Sequence, residues 1–396
     1  MAARGSVIQR GSGWTVILDF GRDENGKRIR QWHSGFATEK DAEQARTKLL
    51  YQVDRAEYVP PTRLTLRQFA DDRWLPNLET AVAGGNLKPN TAASYRTQVN
   101  AYVKPRLGHL RLKDLTADML AKFYGELLKS GRRTGKGKGG PLSPTSVHLA
   151  HVTVHRMLGD AVRWGLVARN VADAASKDAP KRRKTGKDTI RVWEPAQLGK
   201  FLESVKGDRL CALWVLLITT GVRRGEAVGL RWPDVDLEAG RLTVAQARVV
   251  VDHKVIESTP KSDSSGREIS LDAATVSALR RHHTRQKEER MAWGPGRTET
   301  GLVFTREDGT GLHPNVISRT FARLAAAAEL PPIRLHDLRH SYASAGLKAG
   351  VSIKVMQERL GHSSIAITGD IYSHVSRDVD QAAADKVAAV IFGTSS

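Results

Sequence analysis

The chain has 396 residues, of which 40% are hydrophobic, so it can build packed cores and wholesale disorder is excluded. At typical domain sizes of about 150 residues, this length predicts two to three domains. Lysine and arginine number 62 against 42 aspartates and glutamates, and the net charge of +20 favours a polyanionic partner, most often nucleic acid, over a merely soluble or ribosome-associated basic protein.

The sequence excludes several other classes of protein. The longest apolar run, residues 210–218, is too short to span a bilayer, and the first ten residues lack an apolar signal segment. The single cysteine, Cys211, excludes an intramolecular disulfide and any multi-cysteine metal site. We therefore expect a cytosolic or nucleoid protein with no membrane partner.

Residues 1–58 are expected to form a small unit of strands and one helix. Alternating segments at 14–20 and 28–33 flank a turn at 23–26, and Thr38 is a predicted N-cap of a helix that runs to about Arg55. The return strand carries basic and aromatic side chains: Arg28, Arg30, Trp32 and His33. A ribbon of this kind can enter a DNA major groove. A solvated edge over a small aromatic core is an equal alternative.

Residues 63–175 have the spacing of an all-helical domain. Four predicted N-caps mark its helices: Thr65, Asn90, Thr116 and Ser143. A basic, apolar-poor linker follows at 176–191 and includes Lys181, Arg182, Arg183 and Lys184, which are suited to contacting DNA phosphates.

A third domain is expected over residues 192–396, mainly helical with β segments at 241–245, 247–251, 255–257 and 268–271. Two of its histidines, His336 and His340, have the four-residue spacing of zinc ligands on a helix. Asp337 stands where the zinc-protease motif has glutamate, and Arg339 would place a positive charge beside the metal. We therefore expect no metal site.

The same domain holds six residues that together suit phosphoryl transfer: Arg223, Lys261, His336, Arg339, His362 and Tyr372. Two arginines can clamp the non-bridging oxygens of a phosphodiester and stabilise a pentavalent transition state without a metal. Histidines can orient the phosphate and move protons near neutral pH, and a lysine can protonate a leaving 5′-oxygen. A tyrosine can attack phosphorus if neighbouring cations or a base lower the free energy of its phenolate.

In their order and context these residues resemble the tyrosine recombinases, the phage integrase family. The matching segments are TGVRRGEAVGLRWPDVDL with Arg223, TPKSDSSGREISL with Lys261, HDLRHSYAS with His336 and Arg339, LGHSSIAIT with His362, and DIYSHVS with Tyr372. The match covers roughly residues 193–380. It assigns the catalytic set to these six positions, with Lys261 in a β-hairpin segment and Tyr372 as the nucleophile.

The resemblance implies an α+β multidomain fold. This fold comprises a small β-β-β-α-type arm-binding domain at 1–58, a helical core-binding domain at 63–175, and a mainly helical catalytic domain with a small antiparallel sheet. It implies a site-specific integrase that cuts and rejoins DNA through a 3′-phosphotyrosine and a Holliday junction, integrating and excising a mobile element with no cofactor or ATP.

The implied partners are double-stranded DNA attachment sites and three further copies of the chain, since family members act as tetramers. A host DNA-bending factor and an excisionase are further partners that the resemblance allows, and the bacterial nucleoid is the implied location. Residues 378–391 resemble the family's C-terminal helix, which docks on a neighbouring protomer; packing on its own domain is the alternative.

Two other functions remain as alternatives. A type IB topoisomerase-like enzyme or a resolvase would use the same chemistry for a different task, but the arm-like N-terminus and the tail argue against both. A catalytically silent DNA-binding protein is the second alternative, and the presence of all six catalytic residue types argues against it.

Overall fold

A computed structural model of the chain describes residues 3–55, 58–60, 62–133, 138–181, 191–258 and 266–361. The chain divides into two compact units, residues 1–183 and 184–396. Among the described helices, none combines the length and apolar character that a membrane crossing requires.

The first unit begins with a three-stranded antiparallel sheet and one helix. In chain order these elements are β1 (Arg4–Arg10), β2 (Gly13–Arg22), β3 (Arg28–Phe36) and α1 (Glu39–Asp54). The central strand is β2, and Thr38 caps α1 by accepting a hydrogen bond from the Asp41 N–H, as its sequence predicts. The sheet has the three strands that the resemblance implies, whereas the sequence pattern itself located only two.

One face of this sheet packs on α1 and the other faces outward. Val16 and Leu18 of β2 are fully buried against Ala42 of α1. Side chains alternate along a strand, so Trp32 lies on the opposite face from His33. Trp32 is 44% exposed, whereas His33 bonds the Tyr58 hydroxyl at 2.9 Å. The expectation that His33 shares a surface with Trp32 is therefore wrong.

The rest of the first unit is helical. Its helices are α2 (Leu66–Phe69), α3 (Leu75–Ala83), α4 (Pro89–Gln98), α5 (Lys104–Leu107), α6 (Ala117–Ser130), α7 (Pro144–Arg163) and α8 (Val171–Ala175). Single π-helical turns, Ala70–Trp74 and Val99–Val103, join α2 to α3 and α4 to α5. The described apolar faces form one core around Trp74, Phe123 and Tyr124.

Three of the four N-caps predicted for these helices are confirmed. Thr65, Thr116 and Ser143 each accept a hydrogen bond from a backbone N–H of the first turn. The prediction for Asn90 is wrong, because Lys88 is the N-cap and Pro89 occupies the first helical position. Proline has no N–H to lose there and its fixed φ suits the helix, so it decides where the helix begins.

The second unit is mainly helical with two small sheets. Its helices are α9 (Pro195–Ser204), α10 (Cys211–Thr220), α11 (Arg224–Gly229), α12 (Ala273–Trp293), α13 (Pro314–Ala327), α14 (Asp337–Lys348) and α15 (Ile353–Leu360). Its strands are β4 (Val235–Asp236), β5 (Arg241–Thr243), β6 (Ala247–Val251), β7 (Lys254–Ser258) and β8 (Glu268–Ser270). The core surrounds α10, with Trp193, Phe201, Trp214 and Phe321 in mutual ring contact.

The strands of this unit pair in two separate groups. One antiparallel sheet has the order β4-β5-β8, and β6 and β7 form a hairpin of their own. Among the described strands, β7 and β8 therefore do not pair. Lys261 lies between these two strands in the sequence. Lys261 itself lies outside the described residues, as does the tail expected at 378–391.

Candidate active site

Arg223 stands at a sharp turn that only glycine allows. Helix α10 ends at Gly221, whose φ is +63°, and a Cβ there would lie 2.6 Å from Tyr342 and 2.8 Å from Leu360. Glycine adopts this left-handed conformation without steric penalty and leaves room for both neighbours. The turn places Arg223 at the N-cap of α11, with its side chain 39% exposed.

A buried carboxylate orients Arg223. Glu226, three residues later, accepts the Arg223 Nη1–H at 2.7 Å and the Arg223 backbone N–H at 2.9 Å. The other cation on Glu226 is Arg267, which reaches both carboxylate oxygens, at 3.2 and 2.8 Å. Burial alone raises the pKa of Glu226, but hydrogen bonds and charge from Arg267 and Arg223 outweigh it and lower the pKa to about 2. Glu226 is therefore ionised at neutral pH.

Arg339 lies in the interior and holds two turns together. It is 3% exposed, and its terminal nitrogens donate to the carbonyls of Gly221, at 2.7 Å, and Leu360. Burial lowers its pKa to about 9, and the charge of nearby Arg223 contributes, so Arg339 is still a cation at pH 7. Each terminal nitrogen of a guanidinium carries two N–H groups. These bonds to the protein therefore leave further donors for an oxyanion.

His336 lies directly before α14, close to Arg223 and Arg339. Its ring packs edge-on against His340, with centroids 5.2 Å apart. Burial, together with repulsion from His340 and Arg339, lowers the pKa of His336 to about 4. The imidazole is therefore neutral at pH 7 and can accept a proton. A phosphate anion bound nearby would raise this pKa toward the working pH.

Two hydrogen-bonded side chains fix the start of α14. Asp337 is 2% exposed and accepts from the Arg334 backbone N–H at 2.9 Å and from its guanidinium at 2.7 Å. Ser341 accepts the Trp193 N–H at 2.9 Å and donates to the Asp337 carbonyl at 2.9 Å. These hydrogen bonds fix the first turn of α14, and with it the positions of His336 and Arg339.

Arg223 and His336 border an open cleft of about 640 Å³. Its charged and polar lining includes Arg223, Arg224, Arg334, His336 and Ser318. Arg224 donates to the Ser318 hydroxyl at 2.7 Å, and burial lowers its pKa. A cleft with several guanidinium groups and a neutral imidazole can bind a phosphodiester and stabilise added negative charge on it.

The structure brings together three of the six residues predicted to be catalytic: Arg223, His336 and Arg339. The other three, Lys261, His362 and Tyr372, lie outside the described residues. Among the described residues, no group of three or more histidine, cysteine, aspartate or glutamate side chains could hold a metal ion.

The predicted DNA-contact residues lie in the first unit and its linker. Arg28 and Arg30 are on β3, and both approach the Asp19 carboxylate, at 3.8 and 3.1 Å. Lys181 is exposed, whereas Arg182, Arg183 and Lys184 lie outside the described residues. Pairing with Asp19 lowers the net charge that the two arginines offer, but their side chains are still 56% and 39% exposed.

Sequence reasoning missed Arg267. The Glu226 carboxylate pairs with Arg223, three residues before it, and with Arg267, 41 residues after it. The side chains of this segment alternate between buried and exposed: Arg267 and Ile269 are buried, and Glu268 between them is exposed. This alternation could have indicated that Arg267 is buried. An arginine in phase with a buried isoleucine predicts an internal partner.

Comparison with known proteins gives two family matches within the chain. The phage integrase family matches residues 192–378, and an arm DNA-binding domain matches residues 7–53. The tyrosine recombinase XerD of Mycobacterium leprae is 30% identical over 314 residues, covering 76% of this chain and 91% of the relative. The chain belongs to the tyrosine recombinase family.

Other relatives agree with this assignment. The recombinase is 28% identical to a tyrosine recombinase XerC-like protein of Caldanaerobacter subterraneus subsp. tengcongensis, over 95% of this chain and 96% of the relative. The solved structure of the Tn1549 transposon integrase in complex with transposon right end DNA shares the fold. It has a TM-score of 0.64 and 20% identity, and covers 82% of this chain and all of that one.

The predicted fold class and activity are therefore confirmed. The recombinase combines a small N-terminal antiparallel sheet with a mainly helical remainder that contains further small sheets. As a tyrosine recombinase of the integrase type, it is an enzyme of site-specific recombination that cuts and rejoins DNA strands.

Proposed function

We propose that the recombinase integrates and excises a mobile genetic element by strand exchange at double-stranded DNA attachment sites in the bacterial nucleoid. The observation that carries this proposal is the pair Arg223 and Arg339. Arg339 is a cation at neutral pH, the two arginines come from segments that are distant in sequence, and they meet at a common pair of turns. Beside the neutral His336, they form a site suited to one phosphodiester.

In this proposal the catalytic set is Arg223, Lys261, His336, Arg339, His362 and Tyr372. Arg223 and Arg339 donate hydrogen bonds to the non-bridging oxygens and offset the negative charge that develops on them. The Tyr372 hydroxyl attacks phosphorus and loses its proton, with His336 or His362 as the acceptor. The bond from phosphorus to the 5′-oxygen breaks, and Lys261 protonates that oxygen.

The products of this step are a 3′-phosphotyrosine and a free 5′-hydroxyl. The 5′-hydroxyl of the partner strand then attacks the phosphotyrosine, releases Tyr372 and restores a phosphodiester, and two such rounds pass through a Holliday junction. One phosphoester bond replaces another in each step. No ATP, metal or other cofactor is needed to balance the reaction.

The proposed domain organisation assigns one task to each part. Residues 1–58 bind arm-type sites through the outer sheet face with Arg28 and Arg30, and the arm DNA-binding match supports this role. Residues 63–175 bind the core site, residues 176–191 contact phosphates through Lys181, Arg182, Arg183 and Lys184, and residues 192–396 carry out the chemistry. Four copies act together, and a host DNA-bending factor and an excisionase set the direction.

An integration assay tests this proposal. A plasmid with the element's own attachment site is mixed with a second plasmid bearing the chromosomal site, and junctions are counted by amplification. We expect junctions with the wild-type protein and none with Tyr372→Phe, which keeps the ring and removes the nucleophile. Relaxation of supercoiled DNA without junctions would indicate a topoisomerase-like activity instead. Binding without either product would indicate a catalytically silent protein.

A further inference from the structure

Arg267 is a buried cation that the proposed chemistry leaves without a role. It immediately precedes β8, its side chain is 7% exposed, and it follows Lys261 by six residues in the sequence. Burying a charge is unfavourable unless hydrogen bonds compensate it fully. The hydrogen-bond acceptors around Arg267 therefore show what compensates its buried charge and which parts of the structure it connects.

Those acceptors belong to two different parts of the site. Two nitrogens of Arg267 bind the Glu226 carboxylate at 3.2 and 2.8 Å, and Nε–H donates to the Arg359 carbonyl at 2.7 Å. Glu226 in turn holds Arg223. Arg267 therefore connects the segment after Lys261 with the turn that carries Arg223 and with the end of α15.

At the end of α15, three consecutive carbonyls each accept from a different arginine. The Arg359 carbonyl binds Arg267, the Leu360 carbonyl binds Arg339, and the Gly361 carbonyl binds the Arg223 Nη2–H at 2.7 Å. The last carbonyls of a helix have no partner within the helix, so these contacts satisfy them. Gly361, with φ +62°, is the residue directly before His362 in the sequence.

Glycine at position 361 also provides the space for this arrangement. A Cβ there would lie 3.0 Å from the nearest Arg267 nitrogen, closer than side chains normally approach. Lysine at 267 could not replace the arginine, because one ammonium cannot span both carboxylate oxygens and the carbonyl with a planar set of donors.

Charge gives Arg267 a second effect. Glu226 shares its negative charge between Arg223 and Arg267, so three arginines (223, 267 and 339) face one carboxylate. Without Arg267, Glu226 would pair with Arg223 alone and weaken its attraction for a phosphate. With Arg267 the cluster has three positive charges against one negative charge, and without it two against one.

We propose that Arg267 is a positioning residue for strand cleavage, which sets Arg223 through Glu226 and fixes the three carbonyls before His362. This inference rests on the proposed function, because its consequence is measured in the cleavage step. Arg267 does not touch DNA in this account. Its loss should therefore slow cleavage far more than it weakens DNA binding.

The test measures covalent complex formation on a nicked core-site DNA, beside DNA affinity and thermal unfolding, at a temperature where every variant is folded. For Arg267→Met we expect affinity within about threefold of wild type and a cleavage rate lower by about 100-fold, comparable to the loss of one transition-state donor. For Arg267→Lys we expect about a tenfold loss, because the charge returns without the planar set of donors.

The matched control is Arg209→Met. Arg209 also forms a bidentate pair with a glutamate, Glu289, at 2.6 Å for both bonds, and donates to the Thr305 carbonyl at 2.7 Å. It precedes α10, which separates it from the turn at Gly221 by about 15 Å of helix. We expect Arg209→Met to lose stability, as Arg267→Met does. The folded Arg209→Met protein should still cleave DNA within about threefold of the wild-type rate.

A pH profile adds a readout that a purely structural role would not change. The charged groups around Glu226 are Arg223, Arg267 and Arg339. Removing Arg267 raises the pKa of Glu226, because burial then opposes ionisation with one hydrogen-bonding cation fewer. Cleavage by Arg267→Met should therefore fall further behind wild type as the pH is lowered from 7 toward 4.5, the ordinary pKa of a glutamate.

Each outcome decides one of the two proposals. Wild-type cleavage by folded Arg267→Met, or an equal loss in Arg209→Met, would overturn the positioning role. If Arg267→Met does not fold, a wild-type rate in Arg267→Lys would overturn it instead. A wild-type protein that forms no covalent complex on its own site would overturn the proposed function, and this inference with it.

Discussion

At the scale of single residues, the site depends on how buried charges are paired. Glu226 and Arg339 are 9% and 3% exposed, and each has bonds that offset the loss of solvent. A buried ion that lost its partners would cost several kcal/mol, so replacing either side chain alone should destabilise the fold. The carboxylate is as much a part of the site as the arginines that contact DNA in the proposed mechanism.

Glu226 should make the stability of the catalytic unit depend on pH in the acid range. Its pKa is about 2 in the folded chain and 4.5 without perturbation, so it stabilises the fold above pH 4.5. This contribution, roughly 3 kcal/mol from the pKa difference, is lost as the pH falls from 4.5 to 2. Denaturant unfolding of wild type and Glu226→Gln at pH 7 and pH 3 measures it.

We expect Glu226→Gln to lower the free energy of unfolding at pH 7 and to differ less from wild type at pH 3. The control is Glu203→Gln, because Glu203 pairs with Lys206 at the surface, with both side chains 69% exposed. Such pairs contribute little, so this variant should match wild type at both pH values. An equal pH dependence in wild type and Glu226→Gln would contradict the pairing described for Glu226.

At the scale of elements, two left-handed glycine turns organise the catalytic unit. The turn at Gly221 ends α10 and the turn at Gly361 ends α15. Arg339 donates to the carbonyl of the first, and Arg223 donates to the carbonyl of the second. The position of each arginine therefore depends on the turn beside the other, and the two segments are fixed together.

Replacing Gly221 by alanine should disrupt both turns. The left-handed conformation costs a residue with a Cβ about 1–2 kcal/mol, and the new methyl would overlap Tyr342 and Leu360. The control is Gly301→Ala, at φ +69°, where a Cβ meets nothing within 4 Å. Denaturant unfolding should show a loss of about 1–2 kcal/mol for the control and a larger one for Gly221→Ala. Equal losses would contradict the close packing at Gly221.

How far the sequence predicts these elements depends on whether the signal is local. Capping residues such as Thr38 and Thr116 predict where their helices begin, because each bonds to a backbone N–H only three residues later. Strand β1, with few apolar residues, gives no clear alternation, and only pairing with β2 defines it. The pair Glu226–Arg267 spans 41 residues, so no local pattern contains it.

The same distinction applies to the candidate site. Motif resemblance predicted Arg223, His336 and Arg339, and these three lie together. It did not predict that a neutral His336, with a pKa of about 4, accompanies the arginines, because that follows from burial. It also did not predict that three arginines donate to the carbonyls at the end of α15. Every residue has a backbone carbonyl, so the residue types do not show which carbonyls act as acceptors.

At the scale of the whole molecule, separate hydrophobic cores suit separate tasks. The N-terminal sheet packs around Val16 and Leu18, the helices that follow around Trp74, and the catalytic unit around Trp214. A part with its own core can be removed without exposing the core of another.

Deleting residues 1–58 should therefore separate integration from cleavage. We expect the shortened chain to lose integration into a long attachment site that includes arm-type sequences. Covalent complex formation on a short core-site DNA should stay within about tenfold of the full chain, because the catalytic core is intact. Junction counts and gel assays on the same preparations measure the two activities. Equal loss of both would contradict a separate arm-binding role.

The central claim is that the recombinase cuts DNA by forming a bond between Tyr372 and phosphorus. Its most direct test is covalent trapping on labelled attachment-site DNA, nicked so that the released 5′-end diffuses away, followed by a denaturing gel. With no metal and no ATP, we predict a shifted band for wild type and none for Tyr372→Phe, while both bind the DNA. A band with Tyr372→Phe, or a band that requires a divalent metal, would contradict the account.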